Sequence, residues 1–351
     1  MVQSQCCIKL GRQSIQFQNP PQIDSWGSIV GKKEGEGPLG AYFDAVEMDP
    51  YLGGKNWEEA EANLQKRAVE QALKRGKIKA DQISYLVAGD LQSQLTGSTF
   101  GIAAFQIPMF GVYGACSTMG ESMAIASILV ASGCGEKVLA VTSSHTEVAE
   151  RQFRFPLSYG NQKPLSATWT VTGSGAVLLA EHNPAEASKV RVTGITVGKI
   201  VDYGMKDSMN MGACMAPAAY DVIKAHFRDF KADLSSYDCV LTGDLGYIGK
   251  RILLELLRED GIDLEKKHQD CGILMYHSRE QDVHAGGSGC GCAASILASY
   301  VMQQFSQKKW KKILFVPTGA LLSKISFNEG NTIPGIAHAI LLEREEERWI
   351  M

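Results

Sequence analysis

The chain repeats itself. KADQISYLVAGDL (79–91) is echoed by KADLSSYDCVLTGDL (231–245), EKVLAVTS (136–143) by KKILFVPT (311–318), and TVTGSGAVLLAE (170–181) by TIPGIAHAILLE (332–343). The three matches come in the same order, so each half of the 351 residues carries the same βα succession. Solenoid repeats run at roughly 20–50 residues, and a repeat spanning half a chain predicts two similar lobes facing each other instead. The expected lobes are residues 1–187 and 188–351, as one two-lobed unit or two domains, and long enough to bury a substantial core. A site at their junction would draw on strand ends from both.

Between the repeats, local pattern alternates. ISYLVAG, GAVLLAE, CVLTG, KKILFVPTG and HAILLE are short runs rich in Val, Ile and Leu, stopped by Gly or polar residues, which is the signature of buried strands. NWEEAEANLQKRAVEQALKRG reads as a helix: acidic residues open it, basic ones close it, and Gly76 is placed to cap its end. The fold class expected is α/β with buried sheets.

Composition excludes several functions. A net charge of −3 gives no reason to expect nucleic acid, and the EREEER run reads as a solvated helix end. MVQSQCCIKLGRQSIQF lacks the charged start and apolar block of a signal peptide, and no window approaches the length of a membrane span, so a soluble protein with at most peripheral membrane contact is expected. Nine cysteines without zinc-like or secreted-framework spacing indicate reduced thiols. The C-x-C at Cys290 and Cys292 has no second ligand cluster at suitable spacing, so no metal site is expected.

The chemistry centres on VYGACSTMGESMAIASILVASG (112–133), in which Cys116 stands just ahead of an apolar helix with almost no polar face. At a helix start a thiolate is favoured by the macrodipole and by free N–H groups; the same cysteine could equally be inert packing. Asp90 and Asp244 end equivalent strands, where they either face the central cleft or cap the helices that follow. His145 and His284 are further polar candidates, or core histidines bonded to carbonyls.

These segments resemble the thiolase superfamily, which includes thiolases and the ketoacyl-synthase condensing enzymes. VYGACSTMGESMAIA is similar to the family's nucleophile turn and buried central helix, TVTGSGAVLLAE to the Gly-rich hairpin closing the first half, and HAGGSGCGCAASIL to the loop that places a histidine, here His284, near the cysteine. The resemblance implies a layered αβαβα arrangement of two pseudo-repeated lobes, and, since such proteins are commonly dimers, a homodimer. Two departures stand out. LTGDLG offers Asp244 where the family places Asn or His, and an ionised acid cannot donate to a developing oxyanion. VPTGALLSK offers Thr318 and Gly319 where thiolases carry a second cysteine.

SIVGKKEGEGPLG, YGACSTMGESM and HAGGSGCG more closely resemble the stage V sporulation protein AD family of Bacillus-type spore formers. That resemblance implies a non-catalytic protein of the spore, peripheral to its inner membrane, that binds dipicolinic acid (pyridine-2,6-dicarboxylate) and assists its uptake and its release in germination. It implies membrane proteins of the same sporulation operon as partners and no cofactor, leaving open a calcium ion accompanying the ligand. A small planar diacid needs N–H, O–H or cationic groups. The candidates are Cys116, Ser117, Asp90, His145, Trp169, Thr170, Asp244, His284, Gly287, Ser288 and Thr318, with Trp169 and Thr170 forming one wall. The competing expectation is an active acyltransferase using coenzyme A thioesters through Cys116, with Arg151 and Arg154 on the phosphates. A structural scaffold with a vestigial cleft is the third.

Overall fold

The repeat is written directly into the order of the strands. A computed structural model describes residues 6–153, 163–183 and 189–344. In the first half the principal sheet strands are β1 (Gln22–Gly31), β2 (Tyr85–Gly89), β3 (Met109–Gly111), β4 (Lys137–Ser144) and β5 (Gly173–Ala180). In the second they are β6 (Val190–Thr196), β7 (Cys239–Thr242), β8 (His268–Asp270), β9 (Lys312–Val316) and β10 (Ala339–Arg344). The spatial order is β3-β2-β4-β5-β1 in one half and β8-β7-β9-β10-β6 in the other. In each, the first two neighbouring pairs are parallel and the last two antiparallel. The halves meet where β1 and β6 pair at Gln22 and Arg191. The lobe boundary expected at 187/188 falls among residues 184–188, outside the described residues.

Main helices follow the same scheme: α1 (Trp57–Gly76), α2 (Thr96–Ile102), α3 (Thr118–Ala131) and α4 (Thr146–Phe153), then α5 (Met211–Phe230), α6 (Gly246–Glu259) and α7 (Cys290–Ile296). Side-chain alternation along the strands shows how they stack. In β4, Val138 and Ala140 join the central core with Met119 and Met123 of α3, while Leu139 and Val141 pack with Leu64 and Ala68 of α1. In β10, Ile340 and Leu342 face the same central core, while Ala339 and Leu341 face Val222 of α5 and Leu253 of α6. Period-two strands buried on both faces therefore separate three helix layers. The result is αβαβα, with α3 and α7 in the middle, and the near absence of a polar face on α3 is the consequence of its position.

Glycines let the middle layer close. A Cβ on Gly175 of β5 would lie 2.0 Å from the Ala294 carbonyl oxygen of α7, and one on Gly291 would lie 2.2 Å from the Gly173 carbonyl oxygen. The TGSG and GSGCG motifs are thus the two sides of one close helix–sheet contact. The end of α1 differs from expectation. Asn56 caps its start, accepting from the Glu59 amide at 2.9 Å, but the C-terminal cap is Lys77 in the left-handed region at φ +53°, with Gly76 still helical. Gly76 is there for clearance, since a Cβ would meet Ser25 Oγ at 2.8 Å.

Candidate functional site

The turn before α3 is strained. Ala115 has φ +51°, a conformation that side-chain-bearing residues rarely adopt, and Ser117 Oγ and Thr118 Oγ1 stabilise it by donating to the carbonyls of Gly114 and Ala115 at 2.7 and 2.5 Å. The Gly-rich segment after β9 packs against it so closely that a Cβ on Gly319 would sit 2.3 Å from the Gly114 carbonyl oxygen. Cys116 is thereby held half-buried in a small pocket of about 60 Å³ that opens to solvent.

Its polar neighbours come from the second lobe. Cys116 Sγ lies 3.7 Å from Ser288 Oγ, and Ser288 donates to Asp244 Oδ2 at 2.6 Å. The Gly289 amide donates to the same oxygen at 3.0 Å, and Thr318 Oγ1 donates to Oδ1 at 2.7 Å. Asp244 is fully buried, and burial pushes its carboxyl up to about 6 against the pull of these donors. Burial, with the negative charge of Asp244 behind it, pushes the Cys116 thiol well above the ordinary thiol range. Leu91, Ala149, Phe153 and Met211 supply apolar wall, and Thr168, Thr170, Ser208 and Tyr113 supply hydroxyls.

Cys116, Thr170, Asp244, Ser288 and Thr318 are therefore brought together, whereas the remaining candidates are not. Ser117 is buried with its hydroxyl turned to Gly114. The two-residue strand Trp169–Thr170 pairs in parallel with Gly287–Ser288, and alternation sends Thr170 and Ser288 to the Cys116 pocket. Trp169 instead lines a second cleft, with the Lys33 and Lys163 ammonium groups 3.6 and 4.3 Å from its ring centroid. His145 lines that second cleft too: Nε2 donates to the Pro50 carbonyl at 2.9 Å, Nδ1 accepts from the Glu147 amide at 3.3 Å, and burial holds the ring neutral by lowering its pKa.

His284 is the clearest correction. The resemblance placed it beside the cysteine, but it stands at φ +52° with Nδ1 on the Pro164 carbonyl at 2.9 Å and Nε2 3.1 Å from Asp282. The four residues to Ser288 carry the loop inward, and the serine takes the place beside Cys116. Asp90 does not line the pocket either. It is completely buried, accepting from the Ser98 amide and hydroxyl and the Gln92 amide at 2.7, 2.6 and 2.7 Å, and so holds the first turn of α2. Arg151 forms an ion pair with Glu58, and Arg154 lies outside the described residues.

Comparison with known proteins gives this arrangement its family. The pattern of the stage V sporulation protein AD family matches residues 11–343. Stage V sporulation protein AD of Bacillus subtilis strain 168 is 43% identical over 334 residues, covering 95% of this chain and 97% of that protein. The chain belongs to the stage V sporulation protein AD family. It is a protein of sporulation. Among solved structures, 3-oxoacyl-[acyl-carrier-protein] synthase III from Aquifex aeolicus is similar at 12% identity and a TM-score of 0.56, covering 92% of this chain and 99% of that one. Cerulenin-bound OleA of Xanthomonas is similar at 15% identity and a TM-score of 0.58, covering 93% and 97%. The fold is thiolase-like.

Sequence reasoning overlooked Glu61. It is buried on α1, accepting from Ser143 Oγ at 3.0 Å and Gln92 Nε2 at 2.9 Å, and burial followed by the negative charge of Asp90 pushes it up to about 8. The signal was a Glu61–Gln65 pair on the apolar face of an otherwise regular amphipathic helix.

Proposed function

We propose that this protein is a non-catalytic binder of dipicolinic acid, taking it beside Cys116 and assisting its uptake into the developing spore and its release in germination. The observation that carries this reading is the hydrogen-bonded line from Cys116 through Ser288 to Asp244. A thiol nucleophile needs a base or a depressed pKa, and an acyl transfer needs donors where the oxyanion forms. Here a hydroxyl backed by a carboxylate faces the sulfur, and burial with the Asp244 charge behind it keeps the thiol protonated at neutral pH. Thr170 and Ser208 line the pocket with hydroxyl groups that suit the carboxylates of a small ring, and the apolar wall suits its faces.

Calorimetry with dipicolinate, alongside mass spectrometry of Cys116 after exposure to acetyl and longer acyl coenzyme A, tests both halves of the proposal. Binding without acylation is expected. Stoichiometric acylation with turnover to a ketoacyl product contradicts it.

The ligand must cross a membrane, and among the described residues no helix is long and apolar enough to do so. The proposal therefore has the protein work peripherally at the spore inner membrane beside membrane proteins of its own operon. Spores lacking those partners should lose its inner-membrane association on fractionation; retention would point to direct lipid binding. A homodimer completes the proposal. The edge strand β3 supports it, with Met109 41% and Phe110 46% exposed and, among the described residues, no strand paired on its outer side.

A further inference from the structure

The pocket that would take a diacid has an acid behind it. Resting on the dipicolinate reading, the following concerns how that site accepts an anion. Among the described residues, Ser288 Oγ is the one hydroxyl that touches both Cys116, at 3.7 Å, and the Asp244 carboxylate, at 2.6 Å. A hydroxyl has a single proton, so while Asp244 is ionised that proton is committed to it and Ser288 turns lone pairs toward the pocket. A carboxylate arriving there meets an acceptor, with a second negative charge behind. Protonating Asp244 reverses the line: the carboxyl O–H donates to Ser288 Oγ, and the serine proton is released toward the ligand.

We propose that Asp244 and Ser288 form a proton-operated selector, in which one proton taken from solvent by Asp244 turns Ser288 from acceptor to donor and admits the diacid. The balance is simple. The free protein carries the Asp244 carboxylate, one solvent proton enters with the ligand, and the complex carries the Asp244 carboxyl; no bond to carbon or sulfur changes.

The surroundings leave this role to a proton. Around Asp244 stand Cys116 on the nucleophile turn, Cys290 and Cys292 on α7, Asp270 and Cys271 at the end of β8, and Thr318 after β9. All four thiols are held protonated by burial, and the Asp270 carboxyl is raised by burial too. These neighbours bring no positive charge to the carboxylate. The charged group lining the pocket among the described residues is Glu150, ion-paired with Lys163 at 2.9 Å. Asp244 nevertheless sits where both states are usable: Thr318 and Gly289 satisfy the anion at 2.7 and 3.0 Å, and its ordinary carboxylate value is raised to about 6, within reach of a neutral solution.

Dipicolinate affinity measured by calorimetry between pH 6 and 8, in buffers of different ionisation enthalpy, tests this directly. The wild type should take up roughly 0.9 proton per ligand at pH 7 and weaken about 50-fold from pH 6 to pH 8. Asp244→Asn, whose amide donates to Ser288 at every pH, should bind with a flat profile and more tightly than wild type at pH 8. Ser288→Ala should bind weakly with a flattened profile. A ligand-induced infrared difference spectrum of the wild type should gain a protonated-carboxyl band at pH 7, which needs no variant to fold. Binding without proton uptake, the wild-type profile retained in folded Asp244→Asn, or binding that requires calcium in place of a proton overturns the selector while leaving the dipicolinate reading intact. Absence of dipicolinate binding at every pH overturns both.

Discussion

Replacing Glu61 by Gln should make the protein more stable at neutral pH. Glu61 and Asp90 are both buried, and Gln92 ties them together, its side-chain amide on Glu61 at 2.9 Å and its backbone amide on Asp90 at 2.7 Å. Asp90 has three donors and holds a helix turn, so the proton that the pair retains belongs to Glu61. A folded value of about 8 against an ordinary 4.5 means that the folded state binds the proton more tightly than the unfolded chain does. The associated stability is complete below about pH 4.5 and is lost as pH rises towards 8, at about 1.4 kcal/mol per unit. Between pH 5 and pH 7 that amounts to a loss of roughly 2–3 kcal/mol. Glutamine is neutral throughout and escapes the loss, while the buried Gln65 Oε1, which has no partner, offers an acceptor for the rearranged ring of amides and hydroxyls. Urea unfolding followed by circular dichroism at pH 5, 6, 7 and 8 is the assay. The wild type should lose stability across the series with a steeper slope than Glu61→Gln, and the variant should be the more stable at pH 7 and 8. Equal slopes, or a variant less stable at pH 8, would refute the reasoning, because they would mean that Glu61 is an ionised and well-compensated charge.

Met123→Ala, at a fully buried position of α3 between the two halves of the sheet, should cost about 2–5 kcal/mol in the same unfolding assay. Gly175→Ala puts a methyl 2.0 Å from the Ala294 carbonyl oxygen and should destabilise by about 1–3 kcal/mol or prevent folding, seen as loss of the cooperative transition. Iodoacetamide at pH 8 should label the exposed Cys134 well before Cys116, a ranking that peptide mass spectrometry reads; Cys116 reacting first would contradict a thiol raised by burial and Asp244.

What could be read without the structure was whatever depends on near neighbours along the chain. The β2, β4, β5, β7, β9 and β10 segments were legible because a strand buried on both faces is a short continuous apolar run. The paired order of the halves was legible because three such runs recur in sequence. The end of α1 was misread by one residue, since clearance against β1, a tertiary matter, decided what Gly76 is for. The site was legible as a set of residues but not as a grouping. Strand alternation divides Trp169 from Thr170, and four residues of loop divide His284 from Ser288. The Ser288 to Asp244 bond joins residues 44 apart on facing elements, and no local pattern encodes it. Glu61 left a trace as a charge on an apolar helix face, which gains meaning only beside Asp90.

The central claim is that dipicolinate occupies the pocket at Cys116 and stays unreacted, and a crystal structure of the protein with dipicolinate tests it most directly. The account predicts an intact planar ring between the Cys116–Ser288 side and Thr170, one carboxylate on the Ser288 hydroxyl, and no bond to sulfur. A ring bound instead against Trp169 and Lys33 in the second cleft, or a modified Cys116, would contradict it.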